Sequence, residues 1–244
     1  MILGAQKSAT TALSEFLNEH PMIEMAQGKE AHIFDDAKFN NEWFSGEIER
    51  RYDSLFDNPD ASIKGEATPV YLYFPEIAER LRRYNPELKL IVILRDPVER
   101  AYSHYLMEKK RGNESLPFCL ALLIESYRLH RDREYLSEDS SLRRHSYRDR
   151  GYYFRQLNNL FRSFEKDQVL VIQSEWLRER HEETLRQVHD FLDIDEFPTQ
   201  SREVFSQSSN LSDVPMASLF LRRCFRKDLV KLEELVEFST ADWR

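Results

Sequence analysis

Leu88-Lys89-Leu90-Ile91-Val92-Ile93-Leu94-Arg95-Asp96-Pro97 decides the fold of this 244-residue chain. The run up to Leu94 is apolar and β-branched except for Lys89, the composition of a strand buried on both faces of a parallel sheet. Pro97 suits the first turn of a helix, and Val98 to Tyr105 carry helix character. Parallel strands need crossover partners, and the chain supplies them on both sides of this segment. Its pattern predicts further strands at 2–3, near Ile63 and at 168–172. Helices are predicted at 8–18, 76–84, after Pro97, and at 116–130, 154–164, 182–191 and 216–237. Residues 24–60 read as irregular. The fold class that follows is α/β, a central parallel sheet flanked by helices. With no internal repeat and no low-complexity linker, residues 1–244 read as a single domain.

Working outward, the next informative stretch is Gly4-Ala5-Gln6-Lys7-Ser8-Ala9-Thr10-Thr11, between the first strand and an amphipathic helix. A strand, a loop with a glycine, a lysine and several hydroxyls, and then a helix N-terminus together make an anion site from backbone amides. The nucleoside triphosphatase loop puts its lysine directly after a second glycine. Here Lys7 follows Gly4 by three residues with no glycine beside it, so the spacing is wrong for a magnesium-nucleotide loop.

Lys7-Ser8-Ala9-Thr10-Thr11 resembles the 5′-phosphosulfate loop of sulfotransferases that use 3′-phosphoadenosine 5′-phosphosulfate (PAPS), with Ala9 where that loop usually has glycine. If the position requires positive φ, alanine is strained there. The run from Arg95 to Tyr105 resembles the family's 3′-phosphate motif, R-D-P-x-x-R-x-x-S followed by an aromatic two residues on. Lys64-Gly65-Glu66-Ala67-Thr68-Pro69-Val70-Tyr71 and Lys29-Glu30-Ala31-His32-Ile33-Phe34 are similar to segments of the heparan-sulfate-like and related bacterial branch. So are Trp43-Phe44, the Arg150 to Leu157 helix start and the Val169 to Glu175 strand. The resemblance implies a P-loop-NTPase-like sulfotransferase fold. Residues 205–215 carry no lysine or glycine where many relatives have a basic loop over the nucleotide.

From the resemblance, Gln6, Lys7, Ser8, Ala9, Thr10 and Thr11 would hold the 5′-phosphosulfate, and Arg95 and Ser103 the 3′-phosphate. Glu66 would be the general base that takes the acceptor's proton, with Lys7 offsetting charge on the leaving phosphate. His32 is the alternative base, since imidazole titrates near neutral pH. Lys29 could reach the sulfuryl group, and Tyr153 could stack near the adenine or pack in the core. Bland readings stand beside these: Arg95 paired with a neighbouring carboxylate, and Glu66 paired with Lys64 or an arginine. PAPS is expected as co-substrate and 3′-phosphoadenosine 5′-phosphate (PAP) as product, with no metal, the sulfuryl group passing to a hydroxyl or amine of a carbohydrate, lipid or small-metabolite acceptor. The other readings are an ATP-dependent small-molecule kinase and a catalytically silent nucleotide-binding interaction protein.

Composition sets the remaining bounds. The chain is 41% hydrophobic with a formal net charge of −8, and its basic residues are spread along it. Such a balance argues against a nucleic-acid binder and favours a small hydroxylated metabolite or short glycan as acceptor over a long anionic polymer. Cys119 and Cys224 lie in apolar surroundings and read as buried free thiols. No apolar run is long enough to span a bilayer and no signal peptide is evident. A cytoplasmic enzyme is therefore expected, or a Golgi-lumenal one if an anchor lies outside the chain. Residues 114–149 read as the insertion that shapes the acceptor site. Neither oligomeric state nor the acceptor's identity is encoded in any motif.

Overall fold

The computed structural model describes residues 1–58, 60–132, 136–199 and 210–244. In chain order the elements are β1 (Ile2–Gly4), α1 (Thr10–Leu17), β2 (Ile23–Met25), α2 (Glu47–Asp53), β3 (Ile63–Gly65), α3 (Pro75–Tyr84) and β4 (Leu90–Leu94). There follow α4 (Pro97–Lys110), α5 (Phe118–Arg131), α6 (Ser141–Arg144), α7 (Tyr153–Leu160), β5 (Val169–Gln173), α8 (Trp176–Glu179), α9 (His181–Leu192) and α10 (Pro215–Leu232). Two compact units result, Met1–Leu94 with Leu160–Ser206, and Arg95–Asn159 with Gln207–Arg244.

The first unit holds the sheet. All five residues of β4 are buried, as their apolar run requires, and β4 pairs in parallel with β1 on one side and β5 on the other. The β4–β5 register runs from Leu90 opposite Val169 to Leu94 opposite Gln173. β2 and β3 form a second parallel pair. An isolated parallel bridge between Ile2 and Ala67, just past β3, with the Ile2 amide donating to the Glu66 carbonyl at 2.8 Å, ties the β2-β3 pair to the three-stranded sheet β1-β4-β5. Leu13, Phe16 and Leu17 of α1, Leu177 of α8, and Leu185 and Val188 of α9 close a core with Ile91, Ile93 and Ile172 of the sheet. On α1 and α9 these positions recur at helical spacing, which explains why each helix forms and which stripe it buries. Gly4 is required by crowding: a Cβ there would lie 2.8 Å from Leu72 Cβ and 3.0 Å from the Pro69 carbonyl oxygen.

The expected α/β class with a central parallel sheet is therefore present, and residues 24–60 are more ordered than their sequence suggested. They contain the end of β2, the 3-10 turn Asn41–Ser45 and α2. A three-residue strand is too short for alternation to register, and α2 buries only Ile48 and Tyr52 among charged neighbours.

In the second unit, α4 starts where Asp96 caps it, accepting from the Val98 amide at 2.7 Å, with Pro97 at the first helical position. α5 turns Phe118, Ala121, Leu122 and Glu125 inward and α10 turns Ala217, Leu221, Phe225, Leu229 and Leu232 inward. Gly151 lies where a Cβ would meet Phe225 Cζ at 2.4 Å. The period of α5 also corrects the reading of the cysteines. With positions 118, 121, 122 and 125 inward, Cys119 falls on the exposed side, and Cys224 is half-buried; both thiols are free. Within 114–149 lie α5, α6 and the fully buried Tyr147, whose carbonyl accepts from Arg100 Nη2. α10 stops at Leu232, short of the predicted 237.

Candidate active site

In the first unit, three short segments carry the candidate residues. The chain leaves β1 into a loop in which Lys7 has φ 72° and Ala9 φ 67°. Ala9 is the N-cap of α1 in left-handed conformation, and no side chain caps that helix. Its leading amides therefore keep their donor direction toward whatever lies ahead of the helix. Ser8 and Thr10 are buried, and Ser8 Oγ meets no hydrogen-bond partner among the described residues. A buried hydroxyl without a partner at a helix N-terminus fits an oxygen-rich anion. Gln6, Lys7 and Ala9 belong to the same loop, and Thr11 lies in the first turn of α1.

The second segment is the turn at 29–35, where Lys29 has φ 69° and His32 φ 50°. His32 Nδ1 lies 2.9 Å from Asp35 Oδ2, and its Nε2 lies 3.1 Å from Glu30 Oε2. Lys29 Nζ donates to Glu30 Oε1 at 3.0 Å. The hydrogen bond to Asp35, joined by the one to Glu30, raises the imidazole pKa to about 10, so His32 is charged at neutral pH. His32 and Lys29 hold Glu30 below the usual carboxylate range despite its partial burial. Asp35 is fully buried, whereas the side chain of Glu30 is 37% exposed.

The third is Glu66, at the end of β3. It is 1% exposed, and its carboxylate is spoken for on both oxygens. Tyr52 donates its hydroxyl to Oε1; Thr68 Oγ1, at 2.6 Å, and the Ala31 amide, at 3.3 Å, donate to Oε2. Burial raises its pKa, opposed by the Thr68 and Tyr52 hydrogen bonds. The Ala31 amide also donates to Thr68 Oγ1 at 3.1 Å, and the Ala67 amide to the Lys29 carbonyl at 3.0 Å. Glu66 thus anchors the turn that carries Glu30 and His32, and it does not pair with Lys64 through any described ion pair.

In the second unit, Arg95 Nε and Nη2 donate to Glu99 Oε2 at 3.0 and 2.6 Å, the carboxylate pairing foreseen as its bland reading. Ser103 is buried two helical turns further along α4. Tyr153 is 0% exposed, and its hydroxyl donates to the Arg95 carbonyl at 2.9 Å. Its ring is buried against Trp243, which corresponds to the core-packing reading, and its hydroxyl supports the Arg95 backbone. The loop expected at 205–215 lies largely outside the described residues, which resume at Asn210 and form a 3-10 turn at Leu211–Asp213.

Glu30, Asp35 and Tyr52 carry geometry that sequence reasoning did not single out. The Lys29 to Phe34 run was visible, and left-handed Gly28 marks its start, but the left-handed positions Lys29 and His32 that fold Glu30 and Asp35 back onto the imidazole carry no such signal.

A family model described as the sulfotransferase domain matches residues 1–219, and the chain belongs to this family. It is 31% identical over 214 residues to heparan sulfate glucosamine 3-O-sulfotransferase 3A1 of Mus musculus, covering 85% of this chain and 49% of that protein. It is 38% identical over 120 residues to membrane-associated sulfotransferase kil1 of Dictyostelium discoideum, covering 48% of this chain and 25% of that one. The chain thus spans about half or less of the length of these curated relatives. A sulfotransferase from Alicyclobacillus acidocaldarius shares the fold with a TM-score of 0.80 and 28% identity, covering 100% of this chain and 97% of that one. Among the described residues no helix is long and apolar enough to cross a membrane.

Proposed function

We propose that this chain is a PAPS-dependent sulfotransferase acting on a hydroxyl or amine of a glycan or small metabolite. The observation that carries the reading is the uncapped α1 N-terminus behind a left-handed Ala9, with the buried Ser8 hydroxyl lacking a partner. The family match runs through both units, which supports reading residues 1–244 as one sulfotransferase domain. The name of the mouse relative supports a glycan acceptor, and the net charge of −8 favours a short or weakly charged one.

PAPS supplies, when bound, a sulfuryl group on a phosphate leaving group. Transfer of this kind is an in-line displacement in which positioning and charge neutralisation do most of the catalysis. Lys7, the loop amides from Gln6 to Thr11 and the hydroxyls of Ser8, Thr10 and Thr11 bind the 5′ end and neutralise charge there. Arg95 and Ser103 bind the 3′-phosphate, for which Arg95 exchanges its Glu99 partner. Tyr153 holds the Arg95 backbone.

For the proton, the family resemblance nominates Glu66, and burial with both oxygens engaged supports a positioning role for it. Glu30 is the more accessible carboxylate, and charged His32, braced by Asp35, orients it. We assign the proton acceptor to Glu30, with His32 as its charged partner rather than as a base.

Titration calorimetry with PAP, adenosine 5′-monophosphate and ATP, without magnesium, tests the donor site. Micromolar binding that needs the 3′-phosphate and collapses in Lys7→Ala and Arg95→Ala is expected. No preference for the 3′-phosphate, or magnesium-dependent ATP turnover, returns the kinase reading; PAP binding with no transfer to any acceptor supports the silent one. Glu30→Gln should lower kcat by about 100-fold or more with PAP affinity kept, within the range for loss of a general base. Glu66→Gln should lower Tm and leave a measurable kcat; the reverse pattern restores Glu66 as the base.

A further inference from the structure

The second unit exposes an apolar surface that the proposed chemistry does not use. On α5, Leu120, Leu123 and Tyr127 are 49%, 70% and 62% exposed, and on α10 Met216, Leu219 and Phe220 are 81%, 63% and 39% exposed. Arg148 ties the two faces together. Its Nη2 donates to Ser126 Oγ of α5 at 2.6 Å, between Leu123 and Tyr127 in sequence, while its guanidinium sits 5.9 Å from the Phe220 ring of α10. Six large apolar side chains on two packed helices exceed the scattered exposure of an ordinary surface.

The charges that the two helices themselves expose are of one sign, with exposed Asp213 on the turn before α10 outside them. Arg131 stacks on Tyr127 at 5.3 Å, and Arg223 and Lys227 continue the exposed side of α10 beyond Phe220. The carboxylates of these helices point elsewhere. Glu125 is fully buried and accepts the Arg148 and Asp149 amides at 2.9 and 2.7 Å, and Asp228 is half-buried and accepts the Phe154 amide at 3.1 Å. In a chain with 43 acidic residues and a net charge of −8, two helices that expose apolar and basic groups and no carboxylate stand apart. A second copy would bring basic rim against basic rim. An anionic lipid surface matches both halves of the pattern, since it takes apolar side chains into its acyl boundary and pairs cations with its headgroups.

We propose that the α5–α10 face docks on anionic lipid bilayers, with Leu120, Leu123, Leu219 and Phe220 inserted and Arg131, Arg148, Arg223 and Lys227 against the headgroups. Co-sedimentation with phosphatidylcholine vesicles, with and without about a third phosphatidylserine, tests it on the full chain. Binding should be at least tenfold stronger to the phosphatidylserine vesicles and fall severalfold between about 50 and 500 mM salt. The double variant Leu123→Asp/Leu219→Asp should abolish it, and Arg223→Glu/Lys227→Glu should remove the preference for anionic lipid. All four positions are exposed and remote in sequence from the proposed catalytic residues, so melting temperature and PAP affinity should stay at wild-type values, which separates lost docking from lost folding. Equal binding to neutral vesicles, or undiminished binding by either double variant, overturns the proposal. So does a wild-type dimer in light scattering that becomes monomeric in Leu123→Asp/Leu219→Asp, which would assign the face to a second copy. Retention on a sulfated glycan with no vesicle binding would assign it to an acceptor.

Discussion

Ala9 is held at φ 67° and ψ 23°, a conformation that a side chain makes unfavourable by about 1–2 kcal/mol. Ala9→Gly should relieve that strain, offset in part by the greater freedom of glycine in the unfolded chain, and raise stability by about 0.5–1 kcal/mol in urea unfolding. Arg95 is engaged by Glu99 at 2.6 Å, so a 3′-phosphate must compete with a carboxylate already in place. Glu99→Gln should tighten PAP severalfold in calorimetry and leave adenosine 5′-monophosphate unaffected. His32 has its folded pKa raised to about 10 by Asp35 and Glu30, so its stabilising pairing is fully present below about 6.5 and is lost as pH rises through 10. The difference in unfolding free energy between wild type and His32→Ala should therefore shrink from pH 7 to pH 10.5. A difference that grows over that window would mean the imidazole is neutral in the folded chain.

At the scale of elements, α5 fastens the turn after Tyr147 through one carboxylate. Glu125 accepts two backbone amides from that turn, and burial raises its pKa to about 7. The sign follows from the shift: its contribution is largest below about pH 4.5, where it is protonated in both states, and diminishes as pH rises through 7. Denaturant titrations of wild type and Glu125→Gln should show the wild-type advantage falling between pH 5 and 8. Glu125 also illustrates what sequence does not disclose. That α5 exists was readable from its apolar spacing, and its observed span, Phe118–Arg131, nearly matches the predicted one. That its one acidic residue faces inward was not, because a buried carboxylate is justified only by amides that arrive from another part of the chain. The same holds for the site. Lys7 and Arg95 could be nominated as candidates, since strand-loop-helix junctions announce themselves by composition. The Glu30, His32 and Asp35 cluster could not, since it depends on left-handed turns at Lys29 and His32 and on hydroxyls from Tyr52 and Thr68 that anchor Glu66.

For the whole molecule, a ligand that binds only the folded chain must raise its stability in proportion to saturation. PAP at about a hundred times its dissociation constant should contribute about 2.7 kcal/mol. For a chain of this size that corresponds to an upward shift in Tm of about 5–10 °C, read by scanning calorimetry. Adenosine 5′-monophosphate at equal concentration should give a much smaller shift, and Lys7→Ala should reduce both.

Pairing with β4 on one side and the bridge to Ala67 on the other put Ile2–Gly4 between partners that emerge later than it does. Ile2 cannot meet Ala67 or Ile91 until those residues have left the ribosome, a wait of roughly 5–20 s at ordinary elongation rates. Throughout that interval this apolar strand waits for its slot, so the nascent protein depends on chaperones longer for β1 than for the strands that follow it.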